Sequence, residues 1–262
     1  ALGHYQPALA LGHSATGGLH EASGDLHTLL GEYSAALRAY ESAAAQAAPG
    51  ALSRLEHKLG QVHERRGQWE LAESHYCAAL DRYRSDSNWA ALAQLHVDRS
   101  RVAYRSGDLE SARALAQEAL DLAAAVHDAE AEAQAHNTLG ILWRQEGDLS
   151  LARAHLERSL ELSEAAAPAA RVAALNNLAR VYGASGAIDN ALALLEQALA
   201  LCVRQGDRHR EAALYNHRAD LLHRAGREEE AMSNLKAAVA IYAEIGLESG
   251  DWQPEIWKLT EW

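Results

Sequence analysis

The sequence contains no phenylalanine, one methionine, two cysteines and four prolines among 262 residues. Two thiols, Cys77 and Cys202, exclude a disulfide-stapled scaffold. They fit small buried side chains in a reducing compartment, so cytoplasm is the expected location. Few prolines leave long helices unbroken. Positive charge is also scarce: 24 Lys and Arg stand against 36 Asp and Glu, a formal net charge of -12. That balance disfavours nucleic acid and anionic membrane surfaces as partners. No apolar run reaches the roughly 18 residues that a membrane span needs. Chemistry-bearing motifs are missing too: there is no His-Glu-x-x-His, no Cys-x-x-Cys, no phosphate-cradling glycine loop and no nucleophile elbow. The fourteen histidines largely follow a repeat register rather than a ligand spacing. No metal, no cofactor and no catalysis are expected.

What is present is a periodic pattern. From Leu175 to Leu201 the chain reads as a helix, a tight turn at Gly186 and a second helix. Their apolar faces meet at Leu178, Tyr182, Ile188, Ala191 and Leu195. One such hairpin cannot bury its apolar faces alone. The turn glycine recurs at Gly3, Gly31, Gly67, Gly107, Gly147, Gly186 and Gly226, at intervals of 28, 36, 40, 40, 39 and 40 residues. Five residues past each stands an alanine: Ala8, Ala36, Ala72, Ala112, Ala152, Ala191 and Ala231. Twelve past stand Ala15, Ala43, Ala79, Ala119, Ser159, Ala198 and Ala238, and seven before stand Gly24, Gly60, Ser100, Gly140, Ala179 and Ala219. Two antiparallel helices approach closely only where such small side chains lie at the crossing. The glycine itself suits a left-handed residue ending the first helix. Two positions past it, Tyr33, Trp69, Leu109, Leu149 and Ile188 plug the hairpin, whereas Glu228 breaks the series. The last hairpin is therefore expected to close less well.

These columns resemble the tetratricopeptide repeat, with a period of about 40 in place of the family's 34. The longer repeat is similar to versions in bacterial multidomain signalling regulators and in kinesin light chain. The Leu175-Asn176-Asn177-Leu178-Ala179 run resembles the latter most. The resemblance implies an all-α, right-handed superhelical solenoid of antiparallel helical hairpins. It also implies first helices along a concave groove and second helices outside.

The expected organisation is a half-repeat over 1–16, a six-hairpin array over 17–250 and a capping tail over 251–262. Gly3-His4-Tyr5-Gln6-Pro7-Ala8 carries the turn signature with no first helix before it, which suggests a longer array and further domains N-terminal to Ala1. The expected hairpins are Leu19 to Ala48 closed by Pro49-Gly50, then 51–83, 88–126, 129–165, Pro168 to Arg204, and Asp207 to Ile245. Asp86 or Ser87 is the expected cap of the third. The tail, with Trp252, Trp257 and Trp262, reads as a cover for the last hairpin.

A candidate site lies on the first helices. Ten residues before the turn glycine stand Glu21, His57, Val97, Asn137, Asn176 and Asn216. Three successive amides at one register, with the adjacent Asn177 and His217, suit the N–H and C=O groups of an extended peptide. The alternative is that they bond to neighbouring helices across the stack. The groove face also carries Arg54, Lys58, Arg65, Arg101, Arg105, Arg144, Arg180 and Arg224, against Glu21, Asp25, Glu64, Asp98 and Asp220. Arg101, Arg144 and Arg180 favour an anionic guest unless nearby carboxylates pair with them, as Asp98 could with Arg101. The expected function is a non-catalytic module that binds a protein or an extended, acidic peptide segment, as the sensor or scaffold part of a larger regulatory protein. A small-molecule-sensing domain and a self-association platform are the alternatives.

Overall fold

A computed structural model describes residues 16–164 and 168–245. All but Thr16 of the expected half-repeat over 1–16, and the expected tail over 251–262, lie outside the described residues. Twelve helices follow in order: α1 (Thr16–Leu30), α2 (Tyr33–Ala44), α3 (Pro49–Arg65), α4 (Trp69–Ser85), α5 (Trp89–Arg105), α6 (Leu109–Val126), α7 (Ala129–Gln145), α8 (Leu149–Leu162), α9 (Pro168–Ala184), α10 (Ile188–Gln205), α11 (Arg208–Arg224) and α12 (Glu228–Glu244). Each odd helix pairs with the next even one, giving six antiparallel hairpins in an all-α, right-handed solenoid.

The small columns are the crossings. The six alanines from Ala36 to Ala231 have no exposed surface, and Gly31, Gly67, Gly107, Gly147, Gly186 and Gly226 all turn with positive φ. Size is exchanged between facing columns. A Cβ at Gly24, Gly60 or Gly140 would overlap Tyr40, Tyr76 or Leu156. Where Ser100 takes the glycine's place, its Oγ donates to the Ala112 carbonyl at 2.6 Å. Such interlock is why these positions tolerate little added volume.

Several local expectations need correction. Gly17-Gly18 lie inside α1, because the helix extends N-terminally past the expected start at Leu19. Pro49 opens α3 rather than closing the first hairpin, since proline's missing N–H costs nothing in a first turn. Asn88, not Asp86 or Ser87, caps α5 by accepting from Ala91 N–H at 3.2 Å. Ser87 turns the chain with φ of 54°. The sixth hairpin closes as the others do. Ala231 and Ala238 are buried, and Glu228 accepts from His223 at 2.9 Å across the turn. His63 and Gln68 clasp the second hairpin in the same way at 2.7 Å. Cys202 is buried as expected, but Cys77 faces outward from α4 and is exposed.

First helices pack on first helices, α5 against α7 and α7 against α9, so they form the inner wall. The two ends of the array meet. Helix α1 touches α11, Ile245 covers Gly31, and Tyr33 stands edge-on to His209 at 5.9 Å between ring centres. Arg65, at the end of α3, donates to the carboxylate of Asp207 at 3.1 and 3.3 Å across 142 residues of chain.

Candidate functional site

The inner wall carries a stack of side-chain bonds between successive first helices. The residue ten before one turn glycine meets the residue nine before the next. Glu21 pairs with Lys58 at 2.9 Å, His57 with Asp98 at 2.7 Å, Asn177 donates to Asn137 at 3.0 Å, and Asn176 bonds His217 at 2.8 Å. Val97 and Thr138 occupy the one rung of the series without such a bond. Two of the three candidate asparagines, Asn137 and Asn176, thus hold adjacent helices together through their amide oxygens, and Asn177 and His217 are their partners. For Asn137 and Asn176 the alternative holds, a bond to a neighbouring helix across the stack. Asn216 is half-buried and makes no hydrogen bond among the described residues.

The charges of the inner wall divide in the same way along the array. In the first half, cations are matched. Arg54 donates to both Glu21 oxygens at 2.8 and 2.9 Å, and Lys58 to Asp25 at 2.6 Å. A cleft of about 320 Å³ opens between α3 and α5, lined in part by Arg54, Lys58, Gln61, Tyr83 and Gln94. The fully buried Asp98 accepts from two of the cleft's lining residues, Gln61 at 2.7 Å and Gln94 at 3.2 Å, and from Arg101 at 2.6 Å, in addition to its bond with His57. Burial pushes the Asp98 carboxyl up, but Arg101, His57 and Gln61 outweigh it and hold the group well below the usual carboxylate range. Arg101 also grips Glu64 at 2.8 Å, so its guanidinium is committed within the fold.

From the end of α5 onward the arginines stand differently. Arg105 on α5, Arg144 on α7 and Arg180 on α9 make no hydrogen bond or ion pair among the described residues, and the Nε of Arg144 is buried without a partner. Arg180 reaches solvent, yet the surrounding wall dehydrates it. That burial, then Arg144 and Arg105, lowers its pKa, while Asp220 on α11 opposes them. Arg105 and Arg144, from the two preceding first helices, therefore lie close enough to act on Arg180, and Asp220 is the carboxylate that opposes them there. Arg224 is withdrawn from the group by donating to the Gly183 carbonyl at 2.7 Å. Among the described residues no three His, Cys, Asp or Glu side chains form a group that could hold a metal, and no helix is long and apolar enough to cross a membrane.

First helices stacked on first helices, each paired with a second helix, define a helical-repeat solenoid. The tetratricopeptide repeat pattern matches residues 51–125, 91–165 and 171–244, and the chain belongs to that family. No curated protein matches the sequence significantly. Among solved structures it is similar to the Rap conjugation gene regulator of the plasmid pLS20 in complex with the Phr* peptide. That likeness has 16% identity and a TM-score of 0.69, covering 90% of this chain and 76% of the other. A Rap protein complexed with Competence and Sporulation Factor matches at 14% identity and a TM-score of 0.66, covering 87% and 75%. BtubC (BKLC) from P. vanneervenii matches at 20% identity and a TM-score of 0.56, covering 86% and 94%. At these identities the likeness speaks for the fold.

Bonding of the asparagines across the stack stood in the sequence only as the alternative, while the charged rungs and the meeting of the two ends had no reading there. The rungs leave a trace only when neighbouring columns are read as pairs, offset by about one repeat. The uncommitted arginines were visible as residues, but which of them lacked a carboxylate was not.

Proposed function

We propose that this chain is a non-catalytic module that binds a protein or peptide segment on its inner wall, and that the segment is acidic. The observation that carries the reading is the set of Arg105, Arg144 and Arg180, without carboxylate partners among the described residues in a chain of net charge -12. A guanidinium fork matches the oxygens of a carboxylate or phosphate, so a cluster of them without partners favours an anionic guest. Asn216 and the amide nitrogen of Asn176 lie along the same wall and supply neutral donors to a peptide backbone. Two solved structures of similar fold were captured with a peptide or a factor bound, which supports the same kind of role here. A place as the sensor or scaffold part of a larger cytoplasmic regulator fits this reading.

The test is retention of glutamate-rich and lysine-rich degenerate peptide libraries by the full chain, with salt raised from roughly 0.05 to 0.3 M. Acidic peptides should be retained over basic ones, and their affinity should fall about tenfold across that range as the charges are screened. Equal retention of both libraries would show that the arginines do not select the guest.

A further inference from the structure

The acidic-guest reading leaves the valence of the anion open, and the inner wall constrains it. Arg105, Arg144 and Arg180 come from three consecutive first helices, at two, three and six residues before their turn glycines. They therefore lie toward the C-terminal ends of their helices on the inner wall. Packing of α5 on α7 and of α7 on α9 sets these helices side by side. None of the three is hydrogen-bonded or ion-paired to a carboxylate among the described residues, and Asp220 is the carboxylate that acts on Arg180. The cluster therefore offers more positive charge than the single carboxylate of an aspartate or glutamate side chain neutralises. The buried, unpartnered Nε of Arg144 adds a donor that has already lost its water. Leaving such a donor without an acceptor is costly, and a bound oxygen removes the cost.

A phosphate monoester matches this arrangement in charge and in shape. It carries about -1.5 to -2 near neutral pH and presents three acceptor oxygens. Each planar guanidinium offers a fork of N–H donors suited to two oxygens at once. A carboxylate presents only two oxygens and one charge, so it fills such a tripod incompletely. The neighbouring wall offers little competition. Arg101 is tied to Glu64 and Asp98, Arg65 to Asp207, and Arg224 to a backbone carbonyl.

We propose that Arg105, Arg144 and Arg180 form a receptacle for a phosphoryl dianion, carried by a phosphorylated serine or threonine in the guest peptide. This rests on the acidic-guest reading and sharpens it from an acidic segment to a phosphorylated one. Arg144 and Arg180 bind the phosphoryl oxygens directly, and Arg105 completes the charge.

The experiment compares three degenerate peptide libraries on the full chain, identical except for a fixed central phosphoserine, glutamate or serine, with inorganic phosphate as a fourth probe. The phosphoserine library should be retained at least tenfold more than the glutamate library, and inorganic phosphate should displace it only in large excess. Arg144→Gln and Arg180→Gln should each remove most of that preference while the thermal midpoint is unchanged or higher. Arg180→Lys, which keeps the charge but not the fork, should reduce it too. Equal retention of the phosphoserine and glutamate libraries overturns the phosphoryl proposal and leaves the acidic-guest reading standing. Loss of both relative to the serine library overturns both. Displacement by inorganic phosphate at the same concentration as by phosphopeptide overturns the peptide as its source and assigns the receptacle to a small phosphate anion. Variants that keep full preference with a native midpoint also overturn the proposal.

Discussion

The two halves of the inner wall solve one stacking problem with different chemistry. Between α1, α3 and α5 the rungs are charged, Glu21 to Lys58 and His57 to Asp98, and the surrounding cations Arg54 and Arg101 are drawn into the same networks. Between α7, α9 and α11 the rungs pair neutral amides with an amide or an imidazole, Asn137 to Asn177 and Asn176 to His217. An amide rung holds neighbouring helices without consuming a cation. Arg144 and Arg180 of that half consequently stand without carboxylate partners among the described residues. The charge of a stacking residue thus decides whether its neighbours are drawn into the fold's own networks.

Breaking the charged half should have the largest effect. Asp98→Ala removes the acceptor for His57, Gln61 and Arg101 at a fully buried point. A loss of about 3–5 kcal/mol is expected, because a committed buried charge is left without its partner. Urea unfolding measures it, and a loss below about 1 kcal/mol would mean that the network is not holding the stack.

Acid should act in two stages. His136 and His209 are pushed by burial down to about 4, with His155 adding to the first and Arg65 to the second, and burial lowers His63 and His96 in the first half as well. Their unfolded value is about 6.5, so the unfolded chain binds more protons between about pH 6.5 and 4, and stability falls in both halves as pH falls through that window. Asp98 and Glu21 in the first half are held below their ordinary values, Glu21 chiefly by Arg54. Their contribution is present above about pH 4 and is lost only below it. Amide exchange followed by pH should therefore show the surroundings of the buried histidines loosening before the Asp98 network. Simultaneous loosening would contradict that order.

A neutral rung should cost less to break. Asn177→Ala leaves the buried Asn137 oxygen without its donor, and a loss of about 1–2 kcal/mol is expected in the same unfolding assay. Arg180→Gln should have the smallest effect on stability, within about 0.5 kcal/mol and if anything stabilising, since it relieves repulsion from Arg144 and Arg105. A clear destabilisation would mean that Arg180 serves the fold after all.

The hairpins were legible in the sequence because each crossing requires the same thing at the same register. Ala36, Ala72 and Ala112 repeat one steric demand, and one column displays it. The rungs make no such demand on a single column. Glu21, His57, Val97, Asn137 and Asn176 differ because each answers to its own partner one repeat later, so Asn137 and Asn176 resembled a ladder for a guest rather than half of a bond. Arg101 could be matched to Asp98 one turn away, but its second partner Glu64 lies 37 residues back. The contact of α1 with α11 depends on small rotations accumulated over six hairpins, which no local pattern encodes.

That last contact changes how the molecule should unfold. An open array behaves as a line of coupled units, where loss of an end unit leaves the others indifferent. Here the bond of Arg65 to Asp207 and the cover of Ile245 over Gly31 join the line into a loop. Neither end hairpin is then the free terminus of a zipper, and opening either one breaks an interface on both of its sides. Melting should approach a single cooperative step in place of progressive peeling, and the hollow should hold its diameter until the loop is cut.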